Sequence, residues 1–74
     1  MSFNYSKLLG KIKECGLTQS EFALKIGTTK TTLSLKLSNK ASFKQVEIKK
    51  SCDILGIPID EIGHYFFNLI VQKS

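Results

Sequence analysis

The sequence predicts an all-α fold, a small bundle of four to five short helices followed by a short C-terminal tail. Three observations carry this. Apolar residues recur at three- and four-residue intervals from Tyr5 to Leu55. Gly16, Gly27 and Gly56 fall where those runs end, as glycine does when a helix stops in a left-handed residue. A chain of 74 residues with 42% apolar content should fold around one core, with little room for a buried cleft.

The elements follow in order. Asn4 can cap a first helix in which Tyr5, Leu8, Leu9 and Ile12 take positions i, i+3, i+4 and i+7; Gly10 weakens it and Gly16 stops it. Thr18-Gln19-Ser20-Glu21 is a capping box opening a short second helix with Phe22, Ala23 and Ile26 inward and Gly27 at its end. The next stretch, "GTTKTTLSLKLSNK", holds four of the five threonines and no acid. Thr28 or Thr29 caps a third helix there, from about Lys30 to Leu37, anchored by Leu33 and Leu37. A Ser38-Asn39-Lys40 turn leads to Phe43, placed to staple the start of a fourth helix from about Lys44 to Leu55, which carries Ile48, Ser51, Cys52 and Leu55 in register. Gly56 and Pro58 close it, and Asp60 to Gly63 allows one more short helix.

These elements make one domain, residues 1–63. The tail, 64–74, reads "HYFFNLIVQKS" and has apolar density without a clean period. A strand paired across a two-fold and a tail tucked onto its own core are nearly equal readings. Dimerisation is slightly favoured, because Phe66, Phe67, Leu69 and Val71 exceed what so small a core needs.

Composition excludes several function classes. Cys15 and Cys52 are far apart and lack Cys-x-x-Cys spacing, so free thiols are expected. His64 is the only histidine, which leaves little for a metal site, a cofactor or a histidine-based catalyst. No enzyme activity and no small-molecule ligand are expected. The start lacks the features of a signal peptide, and the apolar patch from Tyr65 to Val71 is too short to span a bilayer, so a cytoplasmic protein is expected. Asn4-Tyr5-Ser6 matches a glycosylation triplet by chance.

Charge points to a partner. Eleven lysines, no arginine and six acids give a formal +5. Between Glu21 and Glu47 there is no acid, while Lys25, Lys30, Lys36, Lys40 and Lys44 all lie there. A one-signed segment suits a polyanion such as nucleic acid, although a lysine-rich surface kept for solubility reads the same way. The second and third helices, short and joined at a glycine, have the geometry of a helix-turn-helix. Ala23 suits a close helix crossing and Gly27 a left-handed turn.

At these residues a family resemblance becomes definite. "LTQSEFALKIGTTKTTLS" resembles the helix-turn-helix of the Cro/repressor (XRE-type) family, with Gln19, Ala23, Gly27 and Leu33 on that family's positions. "LKLSNKASF", "EI" and "LGIPIDEI" resemble a phage Cro-like subgroup, so the similarity covers roughly residues 5 to 63. Lys36 stands where many relatives have an aliphatic residue, which leaves open whether Leu35 or Lys36 faces DNA. Lys44 stands where a capping Ser or Thr is common, so Ser42 could cap the fourth helix instead.

The resemblance implies a sequence-specific, double-stranded-DNA-binding transcriptional regulator of phage or prophage type. It would act as a homodimer on an operator, with the third helix in the major groove. The family's base-reading positions fall on Thr29, Lys30, Thr31, Ser34 and Leu35, and its phosphate-contacting positions on Gln19, Lys36, Asn39 and Lys40. Their chemistry agrees: lysine reaches guanine O6 and N7, hydroxyls reach base edges, and leucine meets a thymine methyl. The alternative is a protein-interaction module, an antirepressor or adaptor that keeps the fold without binding DNA.

Overall fold

The computed structural model describes residues 2–70, and among these the regular elements are all helices. Helices α1 (Ser6–Glu14), α2 (Gln19–Lys25), α3 (Lys30–Leu37) and α4 (Gln45–Leu55) are followed by a 3-10 turn (Ile59–Glu61) that runs into α5 (Ile62–Phe66). None of the helices is long and apolar enough to cross a membrane.

The ends of the helices follow local chemistry. Gly16, Gly27 and Gly56 all have positive φ and stop α1, α2 and α4. Around α1 the Asn4 carboxamide accepts from the Ser6 amide at 2.9 Å, but the capping residue itself is Tyr5. At α4 the cap is the extended backbone of Lys44, whose amide donates to the Glu47 carboxylate at 2.8 Å. The cap therefore lies at Lys44 and not at Ser42, because the glutamate three residues on reaches back to it.

The core draws on every helix. Leu8 and Ile12 from α1, Phe22, Ala23 and Ile26 from the α2 segment, Leu33 from α3, Leu55 and Ile57 around the end of α4, and Tyr65 and Phe66 from α5 form one buried cluster. Burying a side chain such as Phe22 or Leu33 contributes about 1.5–3 kcal/mol. Phe43 lies between Tyr5 and Phe66, edge-on to both at 5.4 and 5.3 Å between ring centres. It thus ties the loop before α4 to both ends of the domain.

Only part of the tail belongs to the core. Phe66 is buried, whereas Phe67, Leu69 and Ile70 are exposed. Residues 68–70 turn back along the amino terminus of the same chain. Phe3 and Leu69 form an antiparallel bridge, the Asn4 amide donates to the Asn68 carbonyl at 2.6 Å, and the Ile70 amide to the Ser2 carbonyl at 3.0 Å. Within the described residues the tail thus pairs with the amino terminus of its own chain; Val71 lies outside the described residues.

A candidate nucleic-acid interface

The site is built from α2, the turn after it, and α3. Thr18 opens α2 with the expected capping box: its hydroxyl accepts from the Glu21 amide at 3.1 Å, and the Glu21 carboxylate accepts from the Thr18 amide at 2.9 Å. The Thr18 backbone hydrogen bond, then its side chain, hold the Glu21 carboxyl below the usual carboxylate range. This engages the Glu21 carboxylate in a local cap. Gln19 follows as the first helical residue and is exposed.

The turn reverses the chain within a few residues. Gly27 takes φ +83°, and the Thr28 amide donates to the Ala23 carbonyl at 2.8 Å. Ala23 is fully buried, which lets α2 and α3 meet closely. Thr29 caps α3 with its hydroxyl, which accepts from the Thr32 amide at 3.2 Å and donates to the Thr32 hydroxyl at 3.0 Å. Its oxygen is thus engaged at the helix start, while the residue stays exposed.

Four of the five candidate base-reading residues lie on α3, and all four, Lys30, Thr31, Ser34 and Leu35, are exposed. Leu33 is buried beneath them, and Leu35 is 43% exposed. Leu35 is therefore the residue that faces outward at the position left open by the sequence.

The four candidate phosphate contacts divide. Gln19 and Lys40 are exposed. Asn39, in a left-handed conformation with φ 64°, spends its carboxamide on Phe3, accepting from its amide at 2.7 Å and donating to its carbonyl at 2.9 Å. Lys36 departs from expectation altogether. It is 4% exposed, and its ammonium donates to both carboxylate oxygens of Glu47. Placing Lys36 at the phosphate backbone is thus corrected: its charge is cancelled inside the protein.

Glu47 was not legible as part of this site. It is 7% exposed and receives the Lys44 amide as well as Lys36. Burial pushes its carboxyl up, but the Lys36 hydrogen bond, the Lys44 amide and the two nearby charges outweigh it, so the carboxyl titrates below the usual range. The Lys36 ammonium also lies 6.0 Å over the Phe43 ring. With Lys36 withdrawn, the acid-free segment presents Lys25, Lys30, Lys40 and Lys44 to solvent.

Comparison with known proteins adds a family and a similar solved structure. The model of a family described as "Protein of unknown function (DUF739)" matches residues 1–69. No curated protein matches the chain. Among solved structures, the chain is similar to the modulator of repression (MOR) of the temperate bacteriophage TP901-1 from Lactococcus lactis, determined in solution. The two are 44% identical with a TM-score of 0.76, over 97% of each chain.

Proposed function

The chain belongs to the DUF739 family, and we propose that it is a phage-type regulator that binds double-stranded DNA through the exposed face of α3. It is a homologue of a phage regulatory protein, the modulator of repression. The observation that carries the DNA reading is the face itself. Thr29, Lys30, Thr31, Ser34 and Leu35 stand exposed over a helix anchored by Leu33, with no acid among them.

In this reading α3 enters the major groove, which admits an α-helix. Lys30 reaches guanine O6 and N7, with less fixed geometry than an arginine. Thr31 and Ser34 offer hydroxyls to base edges, and Leu35 meets a thymine methyl. Thr29 contributes its methyl group, since its hydroxyl already caps the helix. Gln19 and Lys40 hold the phosphate backbone on either side, and Asn39 shapes the turn that carries Lys40. One module of this size reads few base pairs, so the working form on an operator is a homodimer over two half-sites.

A second reading is favoured by two observations. Lys36 gives no charge to the surface, so the exposed face of α3 keeps a single ammonium, Lys30, beside an exposed Leu35. The similar phage protein is named as a modulator of repression. The same face could therefore grip a repressor protein. Selection of duplexes from a random library, followed by binding across a salt series, separates the two. A DNA reader enriches one sequence and loses affinity steeply with salt; a protein-binding module enriches none and binds its partner with little salt dependence.

A further inference from the structure

We infer that Glu47, through its buried pair with Lys36, is a positioning residue that sets the roll of α3 and hence which side chains reach the bases. The consequence for base preference rests on the DNA reading above; the consequence for helix roll does not.

At about 100° per residue, Leu33, Lys36 and Leu37 span one inward arc of roughly 100°, with Leu35 on the far side. Leu33 is buried, Lys36 is buried and Leu37 is half-buried, so all three positions of that arc face the protein. Leu33 and Leu37 alone would centre the arc about 30° away, with Lys36 at its solvent edge. A charged lysine left without a partner goes to that edge, because its ammonium is too costly to bury alone. Glu47 is what draws it in: both carboxylate oxygens take the ammonium, and the same carboxylate is fixed to the start of α4 by the Lys44 amide at 2.8 Å. The Ser51 hydroxyl donates to the Glu47 carbonyl at 2.7 Å one turn further on. No buried side-chain polar atom among the described residues lacks a partner, so the pair is a satisfied device.

Magnitude decides whether this matters. At a side-chain radius of about 5–6 Å, a 30° roll moves surface atoms by about 3 Å, the length of a hydrogen bond. The exposed residues would then address different base edges. Buried ion pairs of this kind often add little stability over apolar residues of similar size, which fits a role in specifying geometry.

The test compares the full chain with Glu47→Gln and with Lys36→Met/Glu47→Leu. Two readouts are used: acylation of Lys36 by an amine-reactive ester, located by mass spectrometry, and the affinity ratio of the selected duplex to a random one. In Glu47→Gln, acylation of Lys36 should rise at least about tenfold as the lysine leaves the interior, and the affinity ratio should fall about tenfold, the size of one mismatched base pair. The double variant puts an apolar residue back in the arc, so its ratio should return to that of the parent chain. A contact that merely stabilised the fold would lower the melting temperature and leave the ratio alone. Protected Lys36 with an unchanged ratio in Glu47→Gln overturns the inference. If Glu47→Gln does not fold, Glu47→Asp, which keeps the charge but shortens the reach by one methylene, is read the same way. If the parent chain prefers no sequence, the DNA reading falls, and acylation still decides the roll.

Discussion

Two lysines of one helix and its following turn, Lys36 and Lys40, look alike in the sequence and behave oppositely in the structure. Lys36 is buried on Glu47, whereas Lys40 is exposed. Removing Lys36 leaves a buried carboxylate without its counter-ion, so Lys36→Ala should cost about 3–5 kcal/mol in urea unfolding, with the salt slope of DNA binding unchanged. Lys40→Gln should leave stability alone and flatten that slope by about one unit per subunit. The pair also makes stability depend on acid. The Glu47 carboxyl is held below its unfolded value, so its contribution is present above a pH of about 4.3 and is lost as pH falls through the lower folded pKa. Circular dichroism between about pH 5 and 2 should show the parent chain losing more stability than Lys36→Met/Glu47→Leu. Lys30, exposed at the start of α3, is the residue on which base preference should rest. Lys30→Ala should cost about 1–3 kcal/mol on the selected duplex and less on random DNA in a titration; equal losses on both would reduce it to a phosphate contact. The inward lysine could not be read from the sequence with any force. Lysine is almost never fully buried unless paired, and its partner lies eleven residues away on the next helix.

At the scale of elements, what could be read was what is local. Thr18 and Glu21 sit three apart and form the capping box that their spacing implies, and Gly27 takes the left-handed conformation that a tight turn requires. Gly27→Ala should therefore cost about 1–2 kcal/mol from backbone strain. An added Cβ would meet only the tip of Lys50 at 3.5 Å, so crowding does not enlarge the loss. Thermal unfolding checks this, and an unchanged melting temperature would mean that the turn can shift to accommodate the methyl group. What could not be read was long-range. The cap at Lys44 depends on a side chain that is simultaneously engaged across the fold, and no motif announces it. The pairing of residues 68–70 with the amino terminus is too short to impose an alternating pattern. The α3 face itself was legible as a set of residue types, except that one of its charges points inward.

At the scale of the whole molecule, residues 2–4 and 67–70 meet beside the end of the candidate reading helix. Asn39 grips Phe3, Phe3 is bridged to Leu69, and Phe3 and Phe67 pack edge-on at 5.9 Å. A chain ending at Phe67 loses two main-chain hydrogen bonds at this seam, and its stability should fall by about 1–3 kcal/mol. If the tail serves its own chain, as this pairing has it, sedimentation should show the same association state before and after truncation. Dissociation of a dimer on truncation would instead assign residues 68–74 to an interface between copies. The central claim concerns the exposed face of α3. It is tested most directly by fluorescence anisotropy of the full chain on its selected duplex and on a random one, from about 50 to 200 mM salt. The DNA reading predicts that the selected duplex binds at least about a thousandfold tighter, with affinity for both falling steeply as salt rises. Equal affinity for the two duplexes, or no binding to either, would contradict it and give the same face to a protein partner.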